Sequence, residues 1–310
     1  MLLFSAAVPN ARRDVERALL LMVLSATFFG VMAYAAKVAS ARLSGPEVAL
    51  IRFVVGISPV LLVPRYRRAA TTFQRIDLLL YRGFFGGLAV LFYFIAIAHT
   101  SVGVATLLNY TAPIFSGVFS MIFIGERISP KVLLPMPVAL TGILLVVRAH
   151  ARPGDFLGFG RWELIGLLSA VCSGAAVTAI RAARRGESSW AIYGSFCLLG
   201  VLTTAPLGIA NWRTPHGNEW LALGAMSLLA IFAQLLMTFT LRWVDAMTVG
   251  VISQLAVLVS MALGALLLGE TITPMTAIGS VLSISGVCGV VYVTSLARPT
   301  ASADAVAPEA

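Results

Sequence analysis

The chain has 310 residues, of which 59% are hydrophobic and only 11% charged, with a mean hydropathy of +0.94. Soluble domains carry about a quarter charged residues, so this composition excludes one. The net charge of +9 does not mark a nucleic-acid partner either, because the basic residues sit at the ends of apolar runs and not on a separate domain.

A helix needs about 20 apolar residues to cross the hydrocarbon core of a bilayer. In chain order, a short tail (1–17) precedes apolar runs at 18–36, 47–63, 78–98, 102–124 and 131–147. A linker at 150–161, with Pro153, Gly154, Gly158 and Gly160, separates these from runs at 162–180, 191–209, 220–241, 247–268 and 275–296. The tail at 297–310 is rich in Ala and Ser and is expected to be disordered. A cleavable signal is the rival reading of the first run, since Ala39-Ser40-Ala41 follows it. That run exceeds the usual h-region of about 7–15 residues, and its counterpart at 162–180 cannot be a signal. The prediction is an all-α membrane protein of ten transmembrane helices, with no soluble catalytic domain. Cys172, Cys197 and Cys288 fall within runs, lack metal or redox spacing, and read as small packing residues.

Gly125-Glu126-Arg127-Ile128-Ser129-Pro130 recurs as Gly269-Glu270-Thr271-Ile272-Thr273-Pro274, an offset of 144 residues. The same offset pairs Leu24-Ser25-Ala26 with Leu168-Ser169-Ala170, Gly30 with Gly174, Lys37 with Arg181, and Gly142 with Gly286. One five-helix unit is therefore used twice, at 18–149 and 162–296. Because five is odd, the second copy enters the membrane inverted, the architecture of secondary transporters. Basic residues set the orientation. With the N-terminus inside, inner segments hold fourteen Lys and Arg, against six outside. Arg127 and Lys131 become Thr271 and Met275 in the second copy, and the cluster Arg65 to Arg75 is matched by a loop holding only Arg213. The Lys37–Arg42 loop, against Arg181, Arg184 and Arg185, runs weakly the other way. Both termini are predicted to lie in the cytoplasm, with the protein in the cytoplasmic membrane.

The Gly-Glu pairs, Arg82-Gly83-Phe84-Phe85-Gly86-Gly87, Phe92-Tyr93 and Pro113 together make the chain similar to the drug/metabolite transporter superfamily, specifically the EamA-type ten-helix permeases, over about residues 18–296. The resemblance implies secondary transport of a small organic solute (a metabolite, amino acid or drug) by alternating access. It implies export in preference, with import of a nucleobase, cofactor or related metabolite as the alternative. It brings no catalytic motif and no cofactor, so the site has to come from side chains.

Polar residues at membrane depth are the natural candidates. On the fourth run Thr106, Asn109, Pro113, Ser116 and Ser120 form one stripe. Pro113 has no N–H, so the Asn109 carbonyl loses its partner and the helix is expected to kink. The matching stripe on the ninth run, Gly250, Ser253, Val257, Ser260 and Gly264, lacks the proline, which predicts a kink in one copy only. Both stripes also suit plain packing seams. Arg82 and Tyr93 share a face of the third run. Tyr93 offers an aromatic body with a hydroxyl, and Arg82 either attracts an anionic group or snorkels to the interface. Arg52 reads as a structural or snorkelling charge near the outer end of the second run. Gln234, Thr238 and Gln254 are hydrogen-bond partners for a solute or glue between helices. Phe28 and Tyr34 are candidates for the cavity wall.

Glu126 and Glu270 are acids for proton coupling, or else cap the following helix or pair with Arg127. No run holds a central Asp, Glu, His or Lys, so no buried proton relay is visible. There is no G-x-x-x-x-G-K-[ST] loop for a nucleotide. An intramembrane enzyme would need an acid, His or activated nucleophile at depth, whereas His99, His150 and His216 fall in loops. The expected partners are a small solute and the lipid bilayer, with no metal, cofactor or nucleic acid.

Overall fold

The computed structural model describes residues 11–124, 131, 134–151, 155, 159–183, 186–240 and 246–296. The first copy comprises α1 (Ala11–Ala39), α2 (Gly45–Gly56), α3 (Ser58–Leu62), α4 (Pro64–Thr71), α5 (Ile76–His99), α6 (Val102–Asn109), α7 (Ala112–Phe119), a π turn (Ser120–Ile124) and α8 (Pro135–Arg148). The second comprises α9 (Arg161–Ala183), α10 (Ser189–Ala210), α11 (Asn218–Thr240), α12 (Ala246–Ser253), α13 (Leu255–Leu268) and α14 (Pro274–Leu296). Among the described residues, nine helical stretches are long and apolar enough to cross a membrane, and α8 is a tenth, shorter apolar helix. The amphipathic α4 buries none of its residues and carries the cluster Arg65, Arg67 and Arg68 outside the bundle.

Local chemistry sets the helix starts. Ser44, Ser101 and Ser188 each place a side-chain oxygen on the amide three residues on, with bonds of 3.3, 3.3 and 3.0 Å. Thr273 does the same for Thr276 at 3.1 Å. Each satisfies an amide that the first turn would otherwise leave without a partner.

The two copies interlock about a pseudo-two-fold axis. Each first helix leaves its own copy and packs on the third and fourth helices of the other. Thus α1 lies against α11 and α13, and α9 lies against α5 and α7. The last helices, α8 and α14, pair on the axis, as do α2 and α10. The glycines that share the repeat offset are points of close approach between the copies. A Cβ on Gly30 would sit 2.6 Å from Val259 Cβ and 2.9 Å from the Ala256 carbonyl oxygen. A Cβ on Gly174 would meet the equivalent atoms, Phe115 Cβ at 2.7 Å and the Ala112 carbonyl oxygen at 3.0 Å. Gly142 abuts the backbone of Ser283, and Gly286 abuts that of Ala139. The recurrence in sequence is a recurrence of helix crossings.

The expectation of a kink in one copy only is corrected. The fourth membrane helix breaks between α6 and α7 at Tyr110 and Thr111, and the ninth breaks between α12 and α13 at Gln254. Both breaks are drawn tight by three-residue hydrogen bonds. Thr111 donates to Leu108 and Ile114 to Thr111 in the first, Gln254 to Val251 and Val257 to Gln254 in the second. Pro113 therefore accompanies the first break without being the general cause, since the second forms without a proline. The same interruption falls at the equivalent place in both copies, one offset of 144 apart.

The second Gly-Glu motif resolves into three jobs. Gly269 adopts φ +66° and ends α13. Thr273, with Pro274 after it, starts α14. Glu270 does not cap the following helix, which corrects that expectation. Its carboxylate accepts the Val102 amide, at 2.9 and 3.1 Å, and so caps α6 of the other copy. The first motif, with Glu126 and Arg127, lies outside the described residues. So do residues 1–10, Arg184, Arg185, Arg242 and the tail from 297, together with the side chains of Arg12, Arg13 and Arg181.

Candidate functional site

A cavity of about 320 Å³ lies between the two copies, where the two broken helices cross. Its wall takes residues from α1, α2, α5, α6, α7, α9, α10, α11, α12 and α14, with the two breaks themselves supplying Tyr110 and Gln254. Gln254 Nε2 donates to the Tyr110 carbonyl at 3.2 Å, tying one break to the other. Non-helical backbone at this depth is tolerated where protein or a cavity covers it.

Of the residues expected from sequence, the structure brings Arg82, Tyr93, Asn109, Pro113, Gln234 and Gln254 to this one wall. Thr238 does not line it. Its hydroxyl instead donates to the Gln234 carbonyl at 2.8 Å, one turn back on its own helix. Phe28 and Tyr34 are absent from the wall as well; α1 presents Phe29 and Met32.

The polar groups differ in how far they are already committed. Thr106 donates its proton to the Val102 carbonyl at 2.7 Å, so Tyr93 is the donor in its 2.9 Å bond to Thr106. Asn109 Nδ2 donates to Ser169 and Ser173 of α9, at 3.0 and 3.2 Å. This amide therefore joins the two copies, and only its oxygen is left to face a solute.

Two arginines dominate the electrostatics. Arg82 is only 6% exposed, and its guanidinium lies 4.2 Å from the centroid of the Phe196 ring. Arg52, also 6% exposed, lies 5.6 Å from that ring and 5.1 Å from Phe53. Neither snorkels, which corrects that reading for both: they turn into the cavity wall. The arrangement explains the Arg82-Gly83-Phe84-Phe85-Gly86-Gly87 motif. A Cβ on Gly83 or Gly87 would collide with α10, and one on Gly86 would collide with Arg82 and Phe196. The glycines thus let α5 approach α10 and let the guanidinium lie across the ring. Sequence reasoning missed Arg52 as a cavity residue, although the offset of 144 makes Phe196 its counterpart, and the two meet across the axis.

The cavity is separated from the opposite end of the bundle by packed apolar side chains. Ala33, Ala36, Ile97, Val102 and Ala105 are fully buried there. Beyond them lies a vestibule of about 1130 Å³, with Lys37, His99, Trp162 and Glu270 on its wall. Lys37 Nζ donates to the Ile97 and Thr100 carbonyls at 2.9 and 2.6 Å. Nearby Arg42 binds Glu219 at 2.6 Å and the Thr214 carbonyl at 2.7 Å, a bridge between the copies. The Glu219 carboxylate raises Arg42 above its ordinary pKa. No group of three or more His, Cys, Asp or Glu fit to hold a metal occurs among the described residues.

Comparison with known proteins agrees with this architecture. The model of the EamA-like transporter family matches residues 16–148 and 160–292, one match per copy. The pseudopaline exporter CntI of Pseudomonas aeruginosa is 30% identical over 271 residues, covering 87% of this chain and 94% of that protein. An uncharacterized transporter of Archaeoglobus fulgidus is 28% identical, covering 66% and 72%. A crystal structure 22% identical in sequence superposes with a TM-score of 0.60 over 91% of this chain and 98% of its own. That likeness bears on the fold alone.

Proposed function

Since the chain belongs to the EamA-like transporter family, we propose that it is a secondary exporter of a small organic solute across the cytoplasmic membrane. The observation that carries this reading is the cavity at the crossing of the two breaks, walled by both copies. A site on the axis between inverted repeats is what rocking of one copy against the other exposes alternately to each side. In the orientation read from loop charge, the apolar seal and the Glu270, Lys37 and Arg42 contacts close the outer end. The lining residues Ile180, Met237 and Val291 lie near the inner ends of α9, α11 and α14. This is a form suited to loading from the cytoplasm, which supports export. The pseudopaline exporter's name supports the same direction. The cavity wall holds no carboxylate, histidine or lysine among the described residues, which supports solute passage over a catalytic step.

The test is differential accumulation. Cells with and without the protein are compared for intracellular and extracellular small metabolites. The proposal expects at least one solute depleted inside and enriched outside when the protein is present. Enrichment inside would reverse the direction, and no difference across a broad panel would overturn the reading.

A further inference from the structure

Among the described residues, no anion pairs with the two guanidiniums in the cavity wall. Arg52 Nε and Arg82 Nε are both buried without a hydrogen-bond partner. Neither arginine forms an ion pair with a described residue, and no Asp or Glu is among the described residues of the wall. Both lie against the Phe196 ring, so their guanidinium carbons are no farther apart than the sum of their two distances to it.

Two positive charges are thus held close together in an apolar, membrane-embedded cavity. Taking an ion from water into such a site is costly even after relaxation. A cation–π contact offsets only part of that cost. Charges kept at this depth mark a substrate path and need a counter-charge. The described residues supply none, so the counter-charge enters with the solute.

We propose that Arg52 and Arg82 form an anion subsite that binds the carboxylate of the transported solute. The proposal rests on the permease reading above and deepens it by naming the class of solute. A guanidinium is a planar fork that matches a carboxylate with two parallel hydrogen bonds. The Phe196 ring lies beside both forks, with its centroid 4.2 Å from the Arg82 guanidinium and 5.6 Å from that of Arg52. The rest of the wall fits an amphipathic body. Phe29, Phe94 and Val90 are apolar, while the oxygens of Asn109 and Gln254 are left to accept from N–H or O–H groups. At about 320 Å³ the cavity lies at the small end of the range for ligand pockets, about 300–1,000 Å³. The solute is a compact organic anion with one or more carboxylates and apolar surface. A free phosphate offers similar oxyanion chemistry and serves as the competing probe.

Purified protein in detergent is tested by thermal unfolding with mono-, di- and tricarboxylates, the neutral amide of each, and inorganic phosphate, all at equal ionic strength. The expected result is that at least one carboxylate raises the midpoint by a few degrees above its own amide. That difference should vanish in Arg52→Gln and in Arg82→Gln, while the unliganded variants are as stable as the parent or more so. No carboxylate distinguished from its amide, or a shift retained in either variant, would overturn the proposal. A shift with phosphate and with no carboxylate would also overturn it. If a glutamine variant yields no folded protein, the lysine variants decide. They keep the charge and lose the fork, so affinity should fall about tenfold, and unchanged affinity counts against the subsite. Solute export by cells without any carboxylate-dependent shift would remove this inference and leave the permease standing. A carboxylate-dependent shift in a protein that moves no solute would do the reverse.

Discussion

Glu270 gives the most informative perturbation, because its carboxylate caps a helix of the other copy at the end of the bundle that is closed. Both of its oxygens lie within bonding distance of the Val102 amide, at 2.9 and 3.1 Å. Replacing it with Ala removes an N-terminal cap, worth about 0.5–2 kcal/mol. The favourable placement of a negative charge at a helix start, about 0.3–1 kcal/mol, is lost as well. The two overlap, so the net loss is about 1–2 kcal/mol. If the contact exists only while the outer end is closed, that sum falls wholly on the closed form, and a shift of about 1.4 kcal/mol multiplies the open population tenfold. A cysteine at Ala105, fully buried in the seal, reports the opening. In a background with Cys172, Cys197 and Cys288 replaced by Ala, a membrane-impermeant maleimide applied to intact cells should label it about tenfold faster when Glu270→Ala is added. An unchanged labelling rate with normal folded yield would show that the cap does not distinguish the two forms, and the gating role assigned to it would fail.

The other predictions follow from single contacts. Gly142→Ala and Gly286→Ala each drive a Cβ into helix backbone across the axis, and should cost about 1–3 kcal/mol in thermal unfolding. Gly224→Ala, with nothing within 4 Å, should hold or gain stability; similar behaviour at all three would refute the close crossings. Asn109→Ala removes two hydrogen bonds to α9 and should lower stability by about 1–3 kcal/mol. An unchanged unfolding midpoint would mean that the amide is not holding the copies together. Reporter fusions after residues 65–75 should read cytoplasmic and fusions within 150–161 external, and the opposite pattern at either would sink the orientation.

Most of the architecture was legible in the sequence because both of its sources are local. Run length against bilayer thickness marks the helices, and the offset of 144 pairs Gly30 with Gly174 and Gly142 with Gly286, which prove to be the helix crossings. The breaks were less legible, since Pro113 carries a visible signal whereas the stretch around Gln254 holds no proline or other local signal. The site was legible as a set of polar residues at depth, but not in its rotations. Thr238 differs from Gln234 by one turn and yet turns its hydroxyl back to the helix. The arginines were the hardest to place. Whether a long cationic side chain snorkels or points inward is decided by its neighbour in space, here Phe196 on another helix, and one sequence does not show that neighbour.

The central claim, that solute crosses through a cavity between two inverted copies without nucleotide, is tested most directly by flux in liposomes. Purified protein is reconstituted with a solute identified by the accumulation test, and its movement is followed under imposed solute or ion gradients with no ATP present. The account predicts flux down the imposed gradient, and its loss when α6 and α13 are cross-linked across the closed outer end, where Glu270 holds the Val102 amide. Strict dependence on ATP, or undiminished flux through the cross-linked protein, would contradict it.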